Sequence, residues 1–334
     1  MRPKVLVDGV SAKDWQKLTR FVEPVELERQ EQYEEGELIE VLQGVQGLMK
    51  LGRRVPELTR RVLEQASGLQ IVGISTDRFG TGIDLGAAIE HGVKVVDTDN
   101  IASSGPVAEW DLALMLLCLR NAGAVYRQMM EGSEKWGNVQ SADFVSGDLT
   151  GRKVGLIGCG HVGQRLVELL TPFRADLKVY DPYLAEEVVE RLELVRGSLE
   201  AVIRHAEILV VQVPLTPKTR GLIGERELSL LRKGAILINC SRGPVVDQQA
   251  LIHRLQAREL IAGLDVFDPE PLEKNSPLRA LPNAFITPHI AWYGANMFYR
   301  LFSSMAEEFE RFFKGEPLRY ELTRRMVDIR WGRI

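Results

Sequence analysis

The sequence predicts an α/β fold made of two doubly wound parallel-sheet domains. Two observations carry this expectation. Short β-branched runs alternate with longer helical patterns, which is the mark of βα units and a parallel sheet. The chain has 334 residues, long for one core when domains run to roughly 100 to 200 residues.

The strand-like runs are "KVLVDGV", "GLMKL", "LQIVGIS" and "VKVVD", then "KVGLIG", "LKVYD", "EILVVQV", "AILINC", "LIAGLDVF" and "NAFITPH". Between the two groups lies "SSGPVAEWDLALMLLCLRNAGAVYRQMMEG". Pro106 suits the first position of a helix and Glu109 then falls in its first turn, where the dipole favours an acid. The apolar residues from Val107 to Leu119 cover nearly every face, so this helix requires burial on all sides, between domains or between subunits. After His289 the pattern is helical again in "MFYRLFSSMAEEFERFFKG", too short to be a domain of its own and expected to return to the first one.

Bulk chemistry narrows the partners. With 42 basic and 46 acidic residues the net charge is −4, which gives no cationic field for nucleic acid or a membrane surface. A small ligand or a protein partner is expected. Cys118, Cys159 and Cys240 have neither disulfide nor metal spacing. This points to a reducing, cytoplasmic setting and to no bound metal. The start "MRPKVLVDGV" reads as a strand rather than a targeting segment, and the most apolar run contains Glu109 and Asp111, so no membrane span is expected.

Two glycine loops compete for a dinucleotide. In "KVGLIGCGHVGQRLVELL" a strand runs directly into Gly158, Gly160 and Gly163 follow at the GxGxxG spacing, and a helix begins at once. The next strand ends in Asp181, 18 residues after Gly163, near the usual spacing of about 20. The first glycine makes the turn, the second admits pyrophosphate, the third lets helix and strand close together, and the acid accepts the adenosine ribose hydroxyls. An acid there, followed by Pro182 and Tyr183 rather than an arginine, selects NAD over NADP. The segment is therefore expected to open a Rossmann domain, with His161 and Val162 contributing backbone at the loop. The earlier stretch "DRFGTGIDLGAA" fails the same test, because its glycines stand away from the strand end and Asp97 follows Gly86 by 11 residues. It reads as a structural turn or as an anion-binding loop of exposed N–H groups.

Three pieces that follow carry chemistry. "GAILINCSRGPVVD" places Arg242 just past a strand, "LDVFDPEPL" places Asp265 and Glu270 past the next, and "AFITPHIAW" places His289 past the one after that. Ligands of open α/β sheets bind beyond the carboxyl ends of strands, and a guanidinium captures a carboxylate with two bonds. With a nicotinamide nearby, Arg242 would hold a substrate carboxylate, His289 would exchange the carbonyl proton, and Glu270 would orient the imidazole and stabilise its cation. Each also has a plainer reading: a surface ion pair, a solvated loop acid and a satisfied loop histidine. His91, His205 and His253 lie in polar helical contexts and read as surface residues.

Together "GLIGCGHVGQRLVELL", "VVQVPLTPKTRGLIGERELSLLRKGAILINCSRGPVVDQQAL", "LDVFDPEPL" and "ITPHIAW" resemble the D-isomer-specific 2-hydroxyacid dehydrogenases, over nearly the whole chain. The resemblance implies an Arg242, Glu270 and His289 triad. It places Asp265 near the nicotinamide carboxamide and Pro214, Thr219 and Cys240 along the cofactor. It also implies a flavodoxin-like substrate domain from residues 1–101 and 291–334, a Rossmann NAD-binding domain from 102–290, and a homodimer built around the helix near Pro106. The loop holding Phe79, Gly80 and Thr81 corresponds to the family's substrate loop, whose amides meet the carboxylate. This chain departs from the family there, with "GTGID", and also at "VVDTDN" and in a shorter "IAGLDVF".

The implied activity is NAD-dependent interconversion of a 2-oxo acid and its D-2-hydroxy acid. "YDPYL" and "PHIAWY" are also similar to C-terminal-binding-protein corepressors, which offers a second reading as a cofactor-gated interaction module. Trp292 and Tyr293 stand as either an aromatic substrate wall or core, and Lys50, Arg53 and Arg54 as either a second anion site or a solvated charge run. No regulatory domain is expected after the catalytic unit, unlike the long, feedback-regulated phosphoglycerate dehydrogenases. The tail "RRMVDIRWGRI" is expected to fold on a partner subunit or stay disordered.

Overall fold

The computed structural model describes residues 2–9, 15–27, 32–52, 54–75, 82–134, 136, 147–330 and 333. The chain divides into two compact units, 1–103 with 294–334, and 104–293.

In the first unit, five parallel strands are described: β1 (Lys4–Asp8), β2 (Glu23–Glu26), β3 (Gly47–Lys50), β4 (Ile71–Ile74) and β5 (Lys94–Asp97). Their order β2-β1-β3-β4-β5 is the flavodoxin-like arrangement. Leu6, Leu48, Val72 and Val95 turn to one face, against Leu38 and Val62 of the helices Glu35–Val41 and Arg60–Gln65. Val5, Val7, Met49, Ile71 and Val96 turn to the other, against Phe302, Met305 and Phe309 of the helix Met297–Phe313. The end of the chain therefore supplies half the cover of the first sheet. Gly47 and Gly73 let it close, since a Cβ would lie 2.8 Å from the Phe309 ring and 2.5 Å from Met305 Sδ. The tail forms the helix Arg324–Arg330, and its Val327 packs on the core of this same unit. The helical part of the tail is thus placed on its own chain.

The second unit has seven described strands: β6 (Lys153–Ile157), β7 (Asp176–Tyr180), β8 (Val195–Arg196), β9 (Ile208–Val211), β10 (Ala235–Asn239), β11 (Leu260–Leu264) and β12 (Ala284–Ile286). The order is β12-β11-β10-β9-β6-β7-β8, a Rossmann sheet extended by one strand, with its switch point between β6 and β9. The strands read as unbroken apolar runs because both faces are covered. Leu209, Val211 and Leu237 face one helical layer, while Ile208, Val210 and Ile236 face the other.

Two strands escape the sequence reading, β2 and β8. Both are exposed edge strands, one with Pro24 and the other two residues long, so neither shows an apolar run. The long helix also differs. It spans Asp99–Leu119 with Pro106 inside it, and Ala102 N–H already donates to Thr98 O. Proline costs the helix one hydrogen bond there, but Ala102, Pro106, Val107 and Ala108 are all buried, and their packing overrides the local start signal. Length and composition alone would let Ile101–Leu119 cross a membrane. In the structure Leu114, Met115, Cys118 and Leu119 of this helix belong to the apolar cluster that covers one face of the second sheet.

Truncating Phe309, which has no solvent exposure, should test the closing role of the C-terminal helix. Phe309→Ala is expected to destabilise the protein by about 3–5 kcal/mol in urea unfolding, with a change well below 1 kcal/mol arguing against a structural role for this helix.

Candidate active site

The glycine loop lies at the switch point of the second sheet. Gly158 has φ +90 and donates its N–H to Tyr180 O at 2.8 Å. A Cβ on Gly158 would overlap the Gln212 carbonyl, and one on Gly163 would lie 2.6 Å from Gly158 O. Both glycines are therefore required by close backbone approach. Gly160 differs, because a Cβ there would meet no atom within 4 Å. Gly160 caps the helix His161–Leu170, whose first N–H groups lack intrahelical partners. Open space at a helix N-terminus is what a pyrophosphate needs, so these residues fit a dinucleotide.

Asp181 completes the loop. Its Oδ2 accepts from Cys159 N–H at 2.8 Å and its Oδ1 from Tyr183 N–H at 2.9 Å. The carboxylate is thus fixed between the glycine loop and the end of β7. On the far side of the switch point, Thr219 Oγ1 donates to Pro214 O at 2.6 Å, and Thr216 N–H donates to Thr219 Oγ1 at 2.7 Å, which folds the segment after β9 on itself.

The catalytic candidates sit past the ends of three adjacent strands. Asn239, Leu264 and Ile286 are level across β10, β11 and β12. Arg242, Asp265 and His289 follow them by three, one and three residues. Glu270 reaches the same place from the loop after β11, and its Oε2 lies 2.8 Å from His289 Nδ1 while its Oε1 accepts Phe267 N–H at 3.0 Å. With Nδ1 engaged by a carboxylate, Nε2 is the ring atom left for chemistry. Glu270 and His289 also line a cavity of about 610 Å³, together with Phe267, Leu272, Arg279 and Ile286.

Buried polar residues and one further glycine build this geometry. Asp265 has no solvent exposure, and its carboxylate accepts from Thr287 Oγ1 at 2.6 Å and from the N–H groups of Ile290 and Ala291 at 2.9 and 2.8 Å. His289 N–H in turn donates to Asp265 O at 2.9 Å, and His289 takes φ +54. Asp265 therefore clamps the turn that presents the imidazole, a role its sequence position did not announce. Asn239, also buried, accepts from Ser241 N–H and donates from Nδ2 to Arg242 O, which shapes the arginine's loop. A Cβ on Gly243 would overlap the Phe267 carbonyl, so this glycine lets the Arg242 loop meet the Glu270 loop.

Other candidates are placed as follows. Phe79, Gly80, Thr81 and Arg53 lie outside the described residues. Arg54 pairs with the fully buried Asp8 at 2.7 Å, and Lys50, 6% exposed, donates to Pro56 O and Gly82 O. This charge run is therefore not a solvated face, since two of its members turn inward to structural acceptors. Trp292 is half-buried on the core and meets Tyr293 edge to face at 5.8 Å. His205 is not a surface residue. Its ring is 8% exposed and bonds Asp176 O at 2.8 Å, a tertiary contact that its polar helical context conceals. Burial pushes the thiols of Cys118 and Cys159 up to about 12.

Residues 112–291 match the model of the D-isomer specific 2-hydroxyacid dehydrogenase, NAD binding domain. The chain belongs to this family. Every one of Gly158, Asp181, Arg242, Asp265, Glu270 and His289 falls inside the matched NAD-binding domain. Among relatives, D-3-phosphoglycerate dehydrogenase of Methanocaldococcus jannaschii is 38% identical over 239 residues, covering 70% of this chain and 43% of that one. Glyoxylate reductase of Aeropyrum pernix is 31% identical over 274 residues, covering 80% and 81%. The crystal structure of a phosphoglycerate oxidoreductase from Rhizobium etli shares the fold, with TM-score 0.83 at 24% identity over 97% of this chain and 99% of that one. The chain spans about half the length of several curated relatives it matches.

The first two glycines of the loop should separate by experiment. Gly158→Ala is expected to lower the Tm, whereas Gly160→Val should leave the Tm unchanged and weaken NADH binding at least tenfold, about 1.4 kcal/mol. Full NADH affinity in Gly160→Val, read by fluorescence titration, would place the pyrophosphate elsewhere.

Proposed function

We propose that the protein is an NAD-dependent oxidoreductase that interconverts a 2-oxo acid and its D-2-hydroxy acid. The observation that supports this most is the 2.8 Å pairing of His289 with Glu270, one strand end away from Asp265 and two from Arg242, in the unit that carries the glycine loop. NAD, when bound, supplies or takes up the hydride. Gly158, Gly160, His161, Val162 and Gly163 hold its pyrophosphate, Asp181 its adenosine ribose, and Pro214, Thr219 and Cys240 flank it.

Arg242 binds the substrate carboxylate, for which a guanidinium has both the charge and the paired donors. His289 gives a proton from Nε2 to the carbonyl oxygen during reduction and takes it back during oxidation. Glu270 holds Nδ1, so the ring keeps one orientation and the imidazolium keeps a counter-charge. Trp292 borders the substrate side chain. Three buried cysteines without a disulfide support a reducing, cytoplasmic setting.

The reading also includes a homodimer. Leu116 on the long helix and Val125, Tyr126, Met129 and Met130 on the helix Ala122–Glu131 are all exposed. Apolar exposure on this scale marks an association surface.

Three measurements test these statements. NADH oxidation is expected with at least one of glyoxylate, hydroxypyruvate, pyruvate or a longer 2-oxo acid, and more slowly with NADPH. Arg242→Ala should lower kcat/KM by roughly a hundredfold or more, about 3 kcal/mol, with NADH affinity kept, so retained efficiency excludes Arg242 as the carboxylate ligand. In sedimentation the protein should be a dimer that Tyr126→Glu with Met130→Glu converts to monomer. A monomeric wild type removes the association reading.

A further inference from the structure

Asp111 is an acid in the middle of the apolar helix Asp99–Leu119, and it has no solvent exposure. Its Oδ2 accepts from Gln212 Nε2 at 2.7 Å, whereas its Oδ1 has no hydrogen-bond partner among the described residues. The titratable groups that face it are the Cys240 thiol past β10 and the Asp265 carboxylate past β11, and no lysine, arginine or histidine acts on it. An isolated carboxylate in such surroundings is costly, and a second acid nearby makes it more so. Protonation removes a charge that no cation beside it balances.

Its one strong partner stands in a sensitive place. Gln212 directly follows β9, donates its N–H to Ile157 O at 2.7 Å, and presses its carbonyl on the spot where Gly158 has no side chain. Asp111 thus anchors the residue against which the first glycine of the cofactor loop is packed. Cys240 lies two residues before Arg242, and Asp265 clamps the His289 turn, so the same buried acid sits beside the residues that follow β9 and β10 and within electrostatic reach of Asp265 past β11.

We propose that Asp111 is a positioning residue for the cofactor side of this site: as a neutral carboxylic acid it holds Gln212, and through Gln212 the Gly158 loop, in the geometry that binds NAD. The inference rests on the NAD-dependent reading given above. Ionisation would place a bare charge beside Asp265, drawing in Gln212 and pushing against the clamp of the His289 turn. Burial raises this carboxyl from its ordinary 3.8 to about 7, so the change falls within a range open to measurement. The folded state keeps the proton to higher pH than the unfolded chain does, so the neutral acid's stabilising contribution is complete below the unfolded value and is lost as pH rises to the folded one.

The test is NADH titration by fluorescence, on the full chain, at about pH 6 and about pH 8.5, on either side of that value. Wild type should bind NADH roughly three- to tenfold more weakly at the higher pH, because ionisation draws Gln212 away from the position that fits the Gly158 loop. Asp111→Asn, which keeps an acceptor for Gln212 without a charge, should bind as wild type does at low pH and show no such change. Asp111→Leu should bind weakly at both. Any pH response from elsewhere in the protein is common to wild type and Asp111→Asn, so the difference between these two isolates Asp111. An unchanged pH response in Asp111→Asn, or wild-type low-pH affinity in Asp111→Leu, overturns the proposal while leaving the NAD reading standing. No NADH binding by wild type at either pH overturns both. Should Asp111→Leu fail to fold, thermal unfolding decides instead: wild type should lose Tm relative to Asp111→Asn between about pH 4 and 7 and hold a constant gap above. A gap that does not vary with pH overturns the neutral acid.

Discussion

The site depends on one buried carboxylate, that of Asp265. A charged oxygen pair without solvent exposure is tolerable only when donors surround it, and Asp265 finds them in Thr287 Oγ1 and the N–H groups of Ile290 and Ala291. These are the residues on either side of His289. Satisfying the acid therefore wraps the chain around it, and the turn that results holds His289 at φ +54, a conformation that costs a side-chain-bearing residue energy and persists only where the surroundings over-determine it. The imidazole is then delivered to Glu270. Desolvation of one group thus becomes precision at another.

Close backbone approach does the rest of the positioning. Gly158 and Gly243 each occupy a place where a side chain would run into a neighbouring carbonyl, the first on the cofactor side and the second between the Arg242 and Glu270 loops. Gly160 serves the opposite purpose, since nothing fills the space beside it. Three glycines near the strand ends therefore do two different jobs, and the distinction lies in what each would touch. The strand ends themselves are level across β10, β11 and β12, so residues distant in sequence emerge side by side.

Buried polarity beneath these loops follows the same logic. Asn239 spends both ends of its amide on the turn before Arg242, and Asp111 reaches Gln212 beside the glycine loop. Such groups add little net stability over apolar replacements, but they fix one arrangement where a purely apolar floor would accept several.

Much of this was legible in the sequence because it rests on local patterns. Alternating strand and helix runs, the Gly158 to Gly163 spacing with Asp181 beyond it, and the order Arg242, Glu270, His289 are periodicities and intervals that need no partner to be seen. The two edge strands β2 and β8 were not, since exposed strands carry no apolar run. The start of the long helix was misplaced because Pro106, which suits the first position of a helix, is also tolerated inside one where packing offsets the lost hydrogen bond. The clamp by Asp265, the contact that Gly243 permits and the burial of Asp111 were decided by tertiary structure alone. Each is a relation between residues far apart in the chain, and a sequence displays intervals along one dimension while burial and hydrogen bonding are settled in three.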